Sequence, residues 1–363
     1  MVRAFAVKEA VKYDILRLLG VHGIGISKDG LGEHIVVYVL SHQVQVPDLI
    51  GNIRVVKLVT GRPKLLSQFA TQFSTSILNQ QKWRPYPAGV SIGAYDATKG
   101  GWETGTLGLI VYDTRGPLIL SCNHIMAGST SDIDPVPAAG SHEIQPGTGD
   151  FGSDPADLIA TLDRWVPYSF QTGRNTVDAA LARISNPPDL SPNNILFIGG
   201  YGKIALPHVG QAVKKSGRTT QLTFGTITDT SATFNMGPVT INGASYDFIW
   251  DDQIVIPNPG FTGNDPGSFA GAGDSGSLVL DQQSHELLGM VFAGTYIEGG
   301  IENPVVLANK MTNVQSALGF STAPTALPRP GNGGWIGGVI LAAGAVIASA
   351  VFVTRSNNQH LTN

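Results

Sequence analysis

The chain has 363 residues, which is enough for a sizeable hydrophobic core and for more than one domain. It has 23 basic and 27 acidic residues, a formal net charge of −4 and no run of Lys or Arg, which excludes the usual electrostatic signature of nucleic-acid binding. Its 45 Gly, 22 Pro and 14% charged residues favour a turn-rich β protein. The single cysteine, Cys122, excludes an intramolecular disulfide.

Residues 1–62 have the pattern of a small α+β domain. Apolar residues recur at helical spacing from Val7 to Leu19, and Gly20 follows, which predicts one amphipathic helix. Three β segments are predicted at GIGIS, HIVVYVL and IRVVKLV. Because this domain contains no cluster of acids, bases or metal ligands, we interpret it as a structural or docking module, with binding of a regulatory partner as the alternative. The amino-terminal sequence does not have the pattern of a signal peptide.

The remaining chain divides into four segments. Residues 63–87 are polar and mixed and predict a linker. In residues 88–318, short β-rich runs alternate with turn residues, which is typical of an all-β sandwich or a pair of barrels. A second linker, 319–334, precedes the uncharged run 335–353.

The run 335–353 is long enough to cross a bilayer, and it has a Trp at one edge and an Arg just beyond the other. We predict that it is a C-terminal transmembrane helix that anchors the chain in a membrane, with the bulk of the protein in the cytosol. The alternatives are a hydrophobic helix docked on the protein and a soluble cytoplasmic chain.

The most informative motif is GAGDSGSLVLD, residues 271–281, in which Ser275 leads into an apolar β run. A serine hydroxyl attacks a carbonyl efficiently only when a base removes its proton and backbone N–H groups hold the developing negative charge. The glycines permit a tight turn in which the amides of Gly273 and Ser275 point into one concavity, an oxyanion hole. Taken alone, this motif also fits an ordinary glycine turn.

Two upstream segments supply a candidate base and a candidate acid. In GPLILSCNHIMAG, His124 follows the end of a β run, where a base is both accessible and positioned. In NTVDAALARI, Asp178 precedes a run that must be buried, so its carboxylate needs a partner such as an imidazole N–H; a surface turn is the alternative. The order His, Asp, Ser is that of the chymotrypsin arrangement and differs from those of subtilisin and the α/β-hydrolases.

On these segments the sequence resembles the chymotrypsin-like (trypsin-like) serine peptidase family, from residue 88 to residue 318. The resemblance implies two six-stranded antiparallel β-barrels with the active site between them. It also implies His124 as general base, Asp178 as the acid that orients it, Ser275 as nucleophile, and the amides of Gly273 and Ser275 as oxyanion hole.

The implied activity is that of a serine endopeptidase acting on a protein or peptide, with no cofactor and no metal site. The segment KKSGRTTQLTFGTI, residues 214–227, is similar to one in bacterial and plant narrow-leaf-type members. Two alternatives use the same scaffold. One is a catalytically silent, membrane-tethered binding protein, and the other is an esterase with the same triad.

The resemblance further implies a substrate pocket. By register with the nucleophile loop, Phe269 lies near the base of this pocket, and the strand GMVFAG, with Phe292 and Gly294, pairs with the substrate backbone. Because no acidic residue stands at the Phe269 position, we expect an apolar or small side chain at the cleaved residue.

Two departures from the family pattern bear on activation. No Ile-Val-Gly-Gly-like activation site precedes residue 88. Asp274 stands where zymogen-activated members bind a new amino terminus. Either local hydrogen bonds hold Asp274 in this chain, or cleavage within the linker 63–87 activates it.

Overall fold

The computed structural model describes residues 2–66, 77–95, 103–134, 141–259, 268–295 and 302–324. Over these residues the fold is mainly β, as the sequence predicts. The predicted membrane helix, 335–353, lies outside the described residues. Within the described ranges, no helix is both long and apolar enough to cross a membrane.

The amino-terminal segment consists of one helix and four strands. They are α1 (Val2–Leu16), β1 (Val21–Asp29), β2 (Gly32–Val39), β3 (Leu49–Ile50) and β4 (Ile53–Val59). The three predicted β segments are confirmed as parts of β1, β2 and β4. The predicted helix Val7–Leu19 is wrong at both ends. Ala4 is buried in an earlier turn of α1, and Leu19 is 96% exposed beyond it, because Val21 N donates to Leu18 O in a turn that ends the helix.

Between residues 62 and 90 the described chain contains two short strands, β5 (Lys64–Leu65) and β6 (Tyr86–Ala88), and the 3-10 turn Leu78–Gln80. β6 and β5 each pair with a strand that follows later in the sequence. Part of the segment that we predict as a linker is therefore tied into sheet structure.

The next seven strands form one antiparallel sheet in the order β8-β7-β11-β12-β13-β10-β9. They are β7 (Ser91–Tyr95), β8 (Thr104–Thr106), β9 (Leu109–Asp113), β10 (Gly116–Ser121), β11 (His142–Ile144), β12 (Leu158–Trp165) and β13 (Ala180–Ile184). The one-turn helix α2 (Asn123–Met126) follows β10. This sheet therefore carries His124 at the end of one strand and Asp178 before the start of its neighbour, β13.

A second, larger sheet contains most of the remaining strands. The elements are β14 (Leu190–Ile195), β15 (Ala212–Gly217), β16 (Gln221–Thr226), β17 (Asp229–Ile241), β18 (Ala244–Pro257), β19 (Leu278–Asp281), β20 (Leu287–Gly294), β21 (Val305–Lys310) and α3 (Met311–Leu318). β14 pairs only with β6, whereas the others follow the order β16-β15-β19-β20-β21-β18-β17. The strand order places β19, which follows Ser275, directly beside β20.

The described strand pairing does not confirm two six-stranded barrels, because the second sheet continues from β17 into β1, β2, β4 and β3. Two glycines of GIGIS permit this junction. A Cβ on Gly23 would lie 2.7 Å from the ring of Phe234, and a Cβ on Gly25 would lie 1.5 Å from the carboxylate of Asp229. The strand β1 therefore approaches β17 closely only because these two positions have no side chain.

Candidate active site

His124 and Asp178 are joined by a hydrogen bond in a buried site. The Nδ1–Oδ2 distance is 2.5 Å, and the backbone N–H of His124 donates to the other oxygen, Oδ1, at 3.2 Å. The backbone N–H of Asp178 donates to the side chain of Asn309 at 2.8 Å, which anchors the acid to β21. Both carboxylate oxygens thus point toward the residue that the acid is predicted to orient.

This arrangement controls the protonation of the imidazole. Burial favours the neutral ring of His124 and opposes protonation, but the negative charge of Asp178, its hydrogen bond and the negative charge of Glu103 together outweigh burial. The pKa of His124 is therefore raised above its ordinary value of 6.5. The hydrogen bond from Nδ1 leaves Nε2 as the ring atom that can accept a proton. Nε2 is buried and has no hydrogen-bond partner among the described residues.

Ser275 lies in a turn between two glycines with left-handed backbones, Gly273 at φ +93° and Gly276 at φ +95°. Its hydroxyl donates to the carbonyl oxygen of Phe292 at 3.1 Å, and its own carbonyl accepts from Thr106 N at 2.8 Å. The second of these bonds ties the nucleophile turn of the larger sheet to β8 of the smaller one.

Gly105 lies between the Ser275 turn and α2. A Cβ on Gly105 would lie 2.7 Å from the side chain of Ile125, which follows His124, and 3.0 Å from the carbonyl oxygen of Ser275. The loop that carries the candidate base and the loop that carries the candidate nucleophile thus meet across this glycine. His124, Asp178 and Ser275 are each buried, and the Ser275 hydroxyl bonds to Phe292 O in this structure.

Asp274 is held by groups of this chain and needs no free amino terminus. Its Oδ1 accepts from Thr219 N at 2.8 Å, and its Oδ2 accepts from Thr220 Oγ1 at 2.6 Å and Gly271 N at 2.8 Å. The ammonium of Lys215 lies 3.5 Å from Oδ2. Of the two alternatives for Asp274, the described contacts match the local hydrogen bonds.

Thr219 and Thr220 lie in the β15–β16 turn and Lys215 lies in β15, and sequence reasoning assigned these three residues no role. Burial lowers the pKa of Lys215, and the charge of Asp274 partly offsets this effect. Three positions after Lys215, the buried Arg218 binds Asp150 through two nitrogens, at 2.6 and 2.8 Å. The run of two lysines and one arginine within an otherwise β segment is the only sequence signal that could have indicated buried ion pairs here.

Several of the residues predicted to bind substrate contact residues 64–66 of the same chain. The carbonyl oxygen of Phe292 accepts from Leu66 N at 2.9 Å, and Gly294 pairs with Lys64 in the antiparallel β5–β20 ladder. The amide of Gly273, predicted as an oxyanion donor, donates to Leu66 O at 2.9 Å. Sequence reasoning did not identify Leu66.

Phe269 is 3% exposed and belongs to a compact apolar cluster of buried side chains. Its carbonyl oxygen accepts from Thr223 Oγ1 at 2.6 Å, and its N–H donates to Asn258 Oδ1 at 2.6 Å. The same cluster contains Leu66, which is fully buried. The predicted pocket residue and Leu66 therefore belong to the same buried apolar cluster.

One group of described residues has ligand atoms close enough to hold a metal ion, namely Cys122, His124 and Asp178, whose ligand atoms lie within 4.8 Å of one another. Its chemistry does not favour a metal. Burial, together with the charge of Asp178, raises the pKa of the Cys122 thiol, and its Sγ donates to Val291 O at 3.4 Å. The thiol therefore stays protonated, and Nδ1 of the imidazole is already bound to the acid.

No family model and no curated protein matches the sequence. Solved structures that match the fold include a chymotrypsin from Cellulomonas bogoriensis, at 18% identity, 66% of this chain, 98% of that chain and a TM-score of 0.40. Protease A from Thermobifida fusca matches at 16% identity, 65% and 96% coverage and a TM-score of 0.39. A glutamic-acid-specific serine protease matches at 18% identity, 64% and 98% coverage and a TM-score of 0.41. These scores are too low to assign the chain to a family.

Proposed function

We propose that this chain is a serine endopeptidase of the chymotrypsin-like type. His124 is the general base, Asp178 orients it, and Ser275 is the nucleophile. The observation that carries the proposal is the buried hydrogen bond between His124 and Asp178 beside the glycine turn of Ser275. A buried ionisable pair is costly to bury and is weak evidence for a stabilising role. Such pairs are common at sites where the pKa of a catalytic base is shifted.

The reaction begins when the Ser275 hydroxyl changes its hydrogen-bond acceptor. In the resting arrangement it donates to Phe292 O, and a rotation about its χ1 bond turns it toward His124 Nε2. The imidazole then takes the hydroxyl proton as Oγ attacks the substrate carbonyl, and Asp178 stabilises the imidazolium that forms. The same imidazole returns the proton to the leaving amine.

The amides of Gly273 and Ser275 form the proposed oxyanion hole. The left-handed backbone of Gly273 is what turns its N–H toward the carbonyl oxygen that it now binds, Leu66 O. Loss of one such donor in other serine hydrolases costs on the order of 10²–10³ in kcat. Asp274, fixed by hydrogen bonds from Thr219, Thr220 and Gly271, holds the intervening backbone in place.

Peptide hydrolysis is favoured over simple ester hydrolysis by the strand next to the nucleophile. β20 pairs through its backbone with an extended segment at Ala293 and Gly294, and that is how a cleft binds a polypeptide independently of its side chains. An esterase for small esters has no need of such a strand.

The proposed counterpart of one barrel is the seven-stranded sheet β8-β7-β11-β12-β13-β10-β9. The proposed counterpart of the other is the set of seven strands β16-β15-β19-β20-β21-β18-β17 in the larger sheet.

Labelling with a fluorophosphonate tests the chemistry. The probe is applied to the wild type and to Leu66→Gly, which removes a buried apolar side chain from the cluster that contains Phe269. Ser275→Ala and His124→Ala in the same backgrounds should abolish labelling. Ser277→Ala is the matched control, since this buried serine has no hydrogen-bond partner through its hydroxyl among the described residues. Absence of label from both the wild type and Leu66→Gly would refute the proposal.

A peptide-library assay then separates a peptidase from an esterase and reads the specificity. We expect cleavage after apolar residues, because the described side chains clustered with Phe269 are apolar and buried. Dominant cleavage after Lys or Arg would contradict the pocket assignment.

The membrane anchor at 335–353, the cytosolic location and a regulatory partner for residues 1–62 stay predictions. Deletion of residues 335–353 should abolish carbonate-resistant membrane association, and unchanged fractionation would reject the anchor.

A further inference from the structure

A second carboxylate, that of Glu103, acts on the proposed general base. Burial opposes protonation of His124, and the negative charges of Asp178 and Glu103 act against burial to raise its pKa. Glu103 is half-buried and immediately precedes β8. No motif of the sequence and no step of the proposed mechanism uses this residue.

The Glu103 carboxylate lacks a donor. Its Oε2 is buried and has no hydrogen-bond partner among the described residues. A carboxylate oxygen removed from water without a partner destabilises the folded state, and native proteins satisfy the great majority of such groups. Two further titratable groups next to Asp178 supply no charge, because burial raises the pKa of the Cys122 thiol and of the Tyr168 hydroxyl and keeps both neutral. A donor from a bound substrate would satisfy Oε2.

The strands around Ser275 place Glu103 on the leaving-group side. The Ser275 hydroxyl donates to Phe292 O in β20, whereas its carbonyl oxygen accepts from Thr106 N in β8 at 2.8 Å. Ser275 therefore lies between the two strands. β20 and the cluster around Phe269 are the proposed partners of the substrate up to the cleaved residue, and an extended peptide crosses the nucleophile in one direction. The substrate residues after the scissile bond then lie toward β8 and Glu103.

The contact at Gly105 agrees with this placement. A Cβ on Gly105 would lie 2.7 Å from the side chain of Ile125, next to His124, and 3.0 Å from Ser275 O. Residues two apart along a strand face the same side of a sheet, and Glu103 stands two residues before Gly105. Glu103 is thus on the face of β8 that contacts the His124 loop, which is consistent with its effect on the pKa of His124.

We propose that Glu103 binds a positively charged side chain of the substrate, Lys or Arg, within the first two residues after the scissile bond. This inference rests on the proposed peptidase function and adds a second specificity to the apolar residue before the bond. Lys and Arg supply both the donor that Oε2 lacks and a charge opposite to that of the carboxylate. A hydrogen bond to a charged group favours such a partner by about 10- to 100-fold over a side chain that cannot donate.

Two pairs of peptides measure this preference. All carry Leu before the scissile bond. In the first pair the next residue is Lys or Met, which is uncharged and of similar length, and in the second pair the following residue is changed in the same way. The full-length chain is assayed in each form, wild type or Leu66→Gly, that reacts with the fluorophosphonate. We expect kcat/KM to be at least about tenfold higher with Lys at one of the two positions. Equal values at both positions would overturn the inference.

Substitutions at Glu103 test whether its carboxylate causes the preference. Glu103→Gln keeps the shape and should reduce the preference for Lys to less than about threefold. Glu103→Lys should reverse it, so that a peptide with Glu at that position is cut faster than the one with Lys. Glu286→Gln is the matched control and should leave the preference unchanged, because Glu286 is also half-buried but lies between β19 and β20 with Lys203 3.5 Å away. A preference that survives Glu103→Gln refutes the assignment.

The pH–rate profile is a second readout, which a merely structural role would not move. Loss of the Glu103 charge lowers the pKa of His124, so the imidazole stays unprotonated to a lower pH. The inflection in kcat/KM should therefore move to lower pH in Glu103→Gln with the Lys and the Met peptides alike, and Glu286→Gln should leave it in place. A preference lost without this shift places Glu103 away from the base and contradicts the leaving-group side.

The outcomes distinguish this inference from the proposed function. If the chain reacts with fluorophosphonate and cuts both peptides of each pair equally, the peptidase stands and the role of Glu103 is refuted. If it reacts but cuts no peptide, or does not react in either form, the peptidase itself fails and the inference fails with it.

Discussion

Replacement of Asp274 by Asn tests the buried hydrogen bonds and the ion pair that hold the residue before Ser275. The carboxylate accepts from Thr219, Thr220 and Gly271, and Lys215 lies 3.5 Å away. Asn keeps the shape, but it removes the charge and turns an amide donor toward one of the present donors. We therefore expect both a loss of stability and a displaced nucleophile turn.

The expected loss of stability follows from the burial of the ion pair between Asp274 and Lys215. Both side chains are fully buried, and breaking such a pair by removal of one partner costs about 3–5 kcal/mol. The pH dependence has a definite sign. Burial already lowers the pKa of Lys215 below 10.5, and loss of Asp274 lowers it further. The folded state then binds fewer protons than the unfolded state, so Asp274→Asn should lose more stability as the pH falls below 10.5.

Urea denaturation measures this effect at about pH 6 and about pH 9. All variants carry Ser275→Ala, which removes the proposed nucleophile and so excludes proteolysis during the measurement. Adding Lys215→Met to Asp274→Asn removes the unpaired cation and should recover part of the stability and abolish the added pH slope. The reasoning is refuted if Asp274→Asn is as stable as its parent, or if its pH slope equals that of the double variant.

Two further substitutions test the site. Asp178→Asn should lower kcat/KM by about 10⁴-fold. The inflection of the pH–rate profile should also move from above 6.5 to below it, because burial then lowers the pKa of His124 without the opposing effect of the Asp178 carboxylate. An unmoved inflection would contradict the assignment of Asp178. Gly276→Ala places a Cβ 2.2 Å from Thr106 O at φ +95° and should cost more than the ~1–3 kcal/mol of backbone strain alone. Gly210→Ala is its control in urea denaturation, since it has φ +84° and no heavy atom within 4 Å of the added Cβ, and equal losses would exclude the proposed clash.

The sequence by itself determined the mainly β character and the candidate residues of the site. Alternating apolar runs separated by Gly and Pro specify strands locally, because side chains of a strand point to alternate faces. The motifs around His124, Asp178 and Ser275 are also local, since each depends on one short turn next to one strand. Their order along the chain was sufficient to suggest a common site.

The tertiary structure alone decided how these segments meet. The pairing of β1 with β17 depends on two glycines that face Phe234 and Asp229, and no periodicity of either strand encodes it. The extent of α1 was misjudged for a related reason, because Ala4 is buried by packing, whereas Leu19 is apolar and exposed.

The contacts that control the proposed active site are likewise long-range. Asp274 accepts from Thr219 and Thr220 more than fifty residues earlier in the chain. Leu66 bonds to Gly273 and Phe292 more than two hundred residues later. A sequence pattern reports which residues can be buried or can react, because these properties belong to single side chains. It does not report which backbone carbonyl lies in a cleft, since that depends on the closure of two sheets around a strand from another part of the chain.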